Sequence, residues 1–188
     1  MAAVVFVWSS LRNPDVSTYA PSQNTPEEAG SSLVGPRTVT INTSDGDVWR
    51  YFDFSRGAVV EAPGPTDWDV AFRRFQIMVN GGAGFTGRAG VLAMSGLALD
   101  SVADVPSEGY TMTETARDSV NSAIERWYDY SWTSHLLTPK PAVYAIRTAD
   151  GRYAKMEFVG YYCVGAVAGC VTFRYVYQGG GETHVGSQ

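Results

Sequence analysis

Histidine and cysteine are scarce in this chain of 188 residues, which has two of each. A metal centre built on side-chain nitrogen and sulfur needs more ligands than that, and a catalytic thiol would need a base close by. Basic runs are absent too: no Lys/Arg cluster exceeds a dipeptide, and the formal net charge is −5. Without a basic face to neutralise phosphates, nucleic-acid binding is excluded. No Ser-centred elbow or cluster of metal ligands occurs, so the residues give no enzyme. Long hydrophobic runs are missing as well. The apolar stretch at the N-terminus, Ala2-Ala3-Val4-Val5-Phe6-Val7-Trp8, is far shorter than the roughly 20 residues that cross a bilayer. It lacks the basic flank and cleavage site of a full signal peptide.

What the chain has is aromatic residues and alternation. Hydrophobic residues make up 45% and aromatics 13%, with 11 Tyr and 5 Trp, a balance that favours β-structure over a helical bundle. The length suits one domain able to bury a core without metal or several disulfides. The densest strand signal is Asp67-Trp68-Asp69-Val70-Ala71-Phe72-Arg73-Arg74-Phe75-Gln76-Ile77-Met78-Val79-Asn80. Its apolar residues alternate, slip phase by one at Arg73–Arg74, and alternate again. A β-bulge in one central strand accounts for the slip. Further strands are expected over Thr38–Thr43, Trp49–Phe54, Ala58–Glu61 and Val171–Tyr177. Ala142–Thr148 and Arg152–Phe158 form a hairpin around Ala149-Asp150-Gly151. One helix is expected over Thr113–Tyr128, with Val120, Ala123, Ile124 and Trp127 on one face. The fold class is therefore mainly β: an antiparallel sheet domain over residues 38–178 with one short helix.

Gly82-Ala83-Gly84-Phe85-Thr86-Gly87 matches the dinucleotide fingerprint in form. The following residues do not read as the crossover helix that fingerprint requires, so it carries no nucleotide site.

An N-terminal arm, residues 1–37, is rich in Ser, Pro, Asn, Thr and Glu, and residues 179–188 form a Gly-rich tail. Such compositions bury too little surface to fold alone. Val4, Val5, Phe6 and Trp8 are candidate partner-binding residues within a segment that docks on a protein or a membrane surface. The alternatives are the remnant of an export signal or anchor, or an extra edge strand. With two arms and an aromatic-rich surface, the expected role is an accessory or structural subunit. It would bind other protein subunits on the outer face of a membrane assembly, respiratory or photosynthetic.

Cys163 and Cys170 flank a short run of small, turn-prone residues. A hairpin there brings the thiols together as a disulfide, with reduced thiols as the alternative. A disulfide places the domain in an oxidising, extracytoplasmic compartment.

Three blocks carry a family resemblance. They are Asp67–Phe75 with the Asn80-Gly81-Gly82 turn, Val105-Pro106-Ser107-Glu108-Gly109-Tyr110, and Asp150–Phe158 followed by Gly169–Tyr175. In this order they resemble the HmuY family, β-rich extracytoplasmic proteins of bacteria that are often lipoproteins. The resemblance implies haem held between two axial side chains, typically His and in some members Met. One axial position falls at Trp132, just after the aromatic segment Trp127–Ser131, and His135 lies three residues on. The segment matching the other, Thr113–Arg126, has no His, and His184 in the tail matches nothing. His135 and Met112 are thus the candidate ligands of a haem carrier, the alternative to the accessory subunit.

Overall fold

The computed structural model describes residues 15–23, 25–27, 29–114 and 120–186. The chain opens with β1 (Thr18–Tyr19), β2 (Leu33–Asn42), β3 (Arg50–Asp53) and β4 (Ala58–Val60). Next come β5 (Val70–Arg73), β6 (Gln76–Val79), β7 (Gly90–Ser95) and a 3-10 turn at Leu99–Ser101. The second half holds β8 (Tyr128–Tyr130), β9 (Leu137–Pro139), β10 (Ala142–Arg147), β11 (Tyr153–Cys163) and β12 (Val167–Gln178). A large sheet runs β2-β12-β11-β10-β7, with β1 added to β11; a small sheet runs β4-β3-β5-β6; β8 and β9 pair by themselves. Every pairing is antiparallel except that of β1 with β11. The mainly antiparallel β architecture expected from the alternation is what forms.

The main core lies where the small sheet packs on the large one. Phe52, Val70, Phe72, Ile77 and Val79 from the small sheet meet Val39, Ile41, Tyr144, Phe158, Phe173 and Tyr175 from the large sheet. Phe72 stacks on Phe173 with ring centroids 5.5 Å apart, and Phe52 meets Phe173 edge-on at 5.3 Å. Each such ring, fully buried, contributes about 1.5–3 kcal/mol. The large sheet has a second covered face, where Val143, Ala145 and Val176 pack with Leu99, Val102, Val105 and Val185. That explains why β10 is apolar at almost every position: a strand buried on both faces has no reason to alternate.

The stretch expected as one bulged central strand is instead a hairpin. Arg74 and Phe75 turn the chain between β5 and β6, with Arg73 opposite Gln76 and Phe72 opposite Ile77, and Arg74 takes a φ of 56°. Reversing the chain returns the apolar side chains to the same core that a bulge would have served, so the phase slip alone does not distinguish the two.

The helix expected over Thr113–Tyr128 does not form in its described part. Residues 122–126 make turns and Tyr128 already begins β8; residues 115–119 lie outside the described residues. The buried side chain of Asn121 competes for the backbone: it donates to Thr111 O at 2.8 Å and accepts from Ala123 N–H at 3.0 Å. Its own N–H donates to Ile77 O at 2.8 Å. Asn favours such local bonds over helix propagation. Ile124 and Trp127 are buried as the spacing implied, but by a chain of turns.

The Gly-rich loop with the fingerprint-like spacing closes between Gly81 and Arg88 and runs straight into β7. No helix follows it, as the sequence implied.

The described parts of the N-terminal arm and of the tail are drawn into the fold. β2 begins at Leu33, inside the stretch assigned to the arm, and β1 pairs Thr18 with Tyr162 and Tyr19 with Cys163. In the tail, Val185 is fully buried and donates its N–H to Ala103 O at 2.8 Å, while Val105 N–H reaches Thr183 O at 2.9 Å. Val4, Val5, Phe6 and Trp8 lie outside the described residues.

Candidate functional site

The β8–β9 hairpin pairs with neither sheet but packs on the main core through Tyr128 and Leu137, and it carries His135, a sequence candidate with an exposed donor ring. Its base is fixed by Trp127, whose Nε1–H donates to Phe75 O at 2.9 Å and whose ring lies 4.3 Å from that of Phe158. Lys140 N–H closes the base by donating to Trp127 O at 2.9 Å. The register pairs Tyr128 with Pro139, Asp129 with Thr138 and Tyr130 with Leu137. On the flank, Leu137 N–H donates to Tyr162 Oη at 2.8 Å, which ties the hairpin to β11.

The tip turns through residues 131–136. Ser131 N–H donates to Leu136 O at 2.9 Å and His135 N–H to Ser131 O at 2.8 Å. His135 has a φ of 58°, the left-handed conformation that His enters more readily than most residues. Its Nδ1 is hydrogen-bonded to Tyr130 Oη, and among the described residues Nε2 has no partner. Trp132 is 82% exposed and meets Tyr130 edge-on at 5.1 Å. Tyr130 itself is 41% exposed. An aromatic platform and a hydroxyl–imidazole pair therefore share one solvent-facing tip.

Beside it lies the turn of β11 and β12. Cys163 and Cys170 are joined by a disulfide, their Cα atoms 4.9 Å apart. Val164 and Val167 on this turn are 67% and 57% exposed. A cleft of about 230 Å³ runs between β9 and β11, lined by Val16, Leu137, Pro139, Tyr161 and Tyr162 among others. On the other side of the hairpin's base, Arg126, Asp129, Lys140 and Tyr144 edge a cleft of about 450 Å³. There Lys140 Nζ lies 3.7 Å from Asp129, and burial pushes the Tyr144 phenol up to about 12.

The two ligand candidates are anchored in different parts of the small sheet's surroundings. Met112 lies in the stretch that bridges Gly82 through Thr113, whose Oγ1 accepts from Val79 N–H at 3.0 Å at the C-terminal end of β6. The hairpin is rooted on Phe75, before the N-terminal end of that strand. The four steps from Phe75 to Val79 span about 13 Å, so Met112 and the root of the hairpin lie at opposite ends of β6. His184 is engaged with Asp104 at 3.1 Å, in the docked tail. Among the described residues no three His, Cys, Asp or Glu converge as a metal site. In the sequence Tyr130 reads as one aromatic of the segment Trp127–Ser131, with nothing to single it out. The available signal was a Tyr five positions before a lone His with turn residues between them.

An antiparallel two-sheet β domain with a separately paired aromatic hairpin docked on its core is the class of protein that this geometry defines. A profile described as HmuY protein matches residues 45–175. The chain belongs to the HmuY family. Solved structures agree on the fold. A proposed lipoprotein from Bacteroides fragilis aligns with a TM-score of 0.63 and 19% identity, covering 81% of this chain and 93% of that one. A proposed HmuY-like haem-binding protein from Bacteroides vulgatus gives 0.62 and 19%, covering 83% and 98%. The apo form of an HmuY analogue from Tannerella forsythia gives 0.59 and 18%, covering 80% and 99%. Among curated proteins none matches.

Proposed function

We propose that this chain is a non-enzymatic, extracytoplasmic binding protein that takes haem at the tip of its β8–β9 hairpin. The observation that carries the reading is the Tyr130–His135 pair beside the exposed face of Trp132. Haem attachment needs an oxygen, nitrogen or sulfur donor for iron and apolar surface for the ring, and the tip offers both. The tip's donors fit attachment from one side, and Met112 is anchored at the other end of β6. A structure from the same family described as a proposed haem-binding protein supports the same ligand. The disulfide supports an oxidising compartment. No helix among the described residues is long and apolar enough to cross a membrane.

When bound, haem would supply the iron and its colour; the chain supplies the donor, the platform and the rigid base. The test is a titration with ferric haem. A Soret shift that saturates at one equivalent is expected, and it is lost in the double variant Tyr130→Phe/His135→Ala. An unshifted spectrum, or one that the double variant leaves intact, overturns the reading.

A second reading, a partner protein seated on exposed apolar side chains, is favoured by the exposure of Val164, Val167 and Trp132. In this reading the chain is the accessory subunit of a membrane assembly. Cross-linking from position 164 in native membranes tests it: a single discrete adduct is expected, and none removes it.

A further inference from the structure

The large sheet has two edges, β2 and β7. The β2 edge is guarded. It carries Pro36 and Arg37, and Ser22 closes on Thr40: Ser22 N–H donates to Thr40 O, and Thr40 N–H to Ser22 Oγ, both at 2.9 Å. The β7 edge is guarded over only part of its length. Val91 N–H donates to Thr111 O at 2.9 Å and Val91 O accepts from Thr111 N–H at 2.8 Å, so these groups face away from β10. In an antiparallel pair that orientation returns at every second residue. Gly96 N–H, on the alternate phase, reaches Pro141 O on the β10 side at 2.8 Å. The N–H and C=O of Ala93 and Ser95 therefore face outward. Among the described residues no strand pairs with them, and both residues are exposed. Neither is a charged residue or a proline, the usual means of keeping another strand off.

The same two residues line the cleft of about 450 Å³ at the base of the β8–β9 hairpin. Tyr144 pairs with Ala93 across the strands and lines the cleft with it. Only 3% of Tyr144 is exposed, and its hydroxyl has no hydrogen-bond partner among the described residues. Burial keeps this phenol protonated at neutral pH, so it is a donor. Arg126 and Lys140 also line the cleft, against the single carboxylate of Asp129. Lys140 Nζ lies 3.7 Å from Asp129 and Arg126 Nε 3.9 Å from Glu125, both beyond hydrogen-bond distance. In a chain of net charge −5, this is a place with a buried donor and two loosely paired cations. A further carboxylate satisfies all three.

We propose that the open edge of β7, from Ala93 to Ser95, takes an extended acidic segment of a partner protein as an added strand, with one of its carboxylates in the cleft beside Arg126 and Lys140. Added strands bind through main-chain hydrogen bonds and are told apart by alternate side chains. A residue set opposite Ala93 or Ser95 projects its side chain on the cleft face. A second copy of the chain does not supply the carboxylate: with two β7 strands edge to edge, Ala93 or Ser95 fills that position. So short an open stretch suits a weak, exchanging contact. The surface uses none of the residues of the hairpin tip, and the inference stands apart from the haem reading.

The probe is a blocked peptide, acetyl-Val-Glu-Val-Glu-Val-amide, titrated into the ¹⁵N-labelled full chain. Its glutamates share one face of a strand and its valines the other. The control is acetyl-Val-Lys-Val-Lys-Val-amide. With the acidic peptide, the amide signals of Ala93 and Ser95 are expected to shift to saturation and to slow in hydrogen exchange; the basic peptide leaves them in place. The double variant Arg126→Glu/Lys140→Glu reverses that preference. Tyr144→Phe weakens the acidic peptide about tenfold, the value of one hydrogen bond to a charged group. Ser95→Pro removes an outward N–H and abolishes binding; should it not fold, the charge-reversed variant decides alone. The proposal is overturned if the acidic peptide leaves both amides unmoved, or if the basic peptide binds equally well. It is also overturned if sedimentation shows a dimer that Ser95→Pro dissociates, which assigns the edge to a second copy.

Discussion

Asp69 accepts the backbone N–H of Ala149 at 2.7 Å, across 80 positions of sequence. Its other oxygen accepts Phe54 N–H at 2.9 Å. One buried carboxylate therefore joins the ends of the inner strands β3 and β5 of the small sheet to the β10–β11 turn of the large one. Burial, and then the charge of Asp53, push its pKa from 3.8 up to about 7. Between those values the folded chain holds a proton that the unfolded chain releases. Stability is therefore fullest below about pH 4, falls as pH rises toward about 7, and levels off above. The drop is on the order of 4 kcal/mol for this one group. Asp69→Asn removes the slope, and it leaves one of the two N–H groups less well served. Urea midpoints measured across this range for both proteins check it: an unchanged slope in the variant refutes the assignment.

Lys155 is the second buried charge, on the opposite face of the large sheet. Its Nζ donates to Leu99 O at 2.9 Å and Val102 O at 2.6 Å, holding the 3-10 turn over the sheet. Lys155→Met preserves the stem and strands both carbonyls. A loss of about 2–4 kcal/mol is expected, read as a lower chemical-denaturation midpoint with an unchanged denaturant slope.

The disulfide closes a short loop, with Cys163 and Cys170 separated by 7 in sequence. Chain entropy assigns such a closure about 2–3 kcal/mol. Replacing both Cys by Ser, or adding reductant, is expected to lower the melting temperature by the corresponding amount. The sheet far-ultraviolet signal should remain.

At the tip, Trp132→Ala is expected to weaken haem binding by about tenfold, the value of one aromatic contact. Met112→Leu should leave the spectrum and the affinity as they are. A Met112 variant that loses haem would place the iron at the other end of β6.

The tail offers the last test. Val185 is fully buried against Leu99, Val102 and Val176. Val185→Asp should cost about 2–5 kcal/mol, from the lost burial and the forced desolvation of a carboxylate. Limited proteolysis should then clip the chain after Gln178.

Alternation made the sheets legible: β2, β3, β10, β11 and β12 lie where Ile41, Phe52, Ile146, Met156 and Phe173 placed them. The disulfide was legible from spacing and small residues. Two elements misled for physical reasons. A phase slip at Arg73–Arg74 looks the same whether the chain bulges or reverses, and Ile124 and Trp127 three apart suit a turn as well as a helix. In the candidate site, His135 and Trp132 stood out because such residues are few or conspicuous. Tyr130 did not, because its hydrogen bond to His135 crosses a turn that only the register of β8 and β9 creates. The ends were hidden for another reason: Val185 is a single apolar residue amid glycines, and what captures it is the groove beside Ala103.

The hydroxyl of Tyr162 and the indole of Trp127 aim the β8–β9 hairpin without reaching its tip. Residues that aim the hairpin and residues at its tip are thus separate, and changes confined to residues 130–136 leave both sheets as they are.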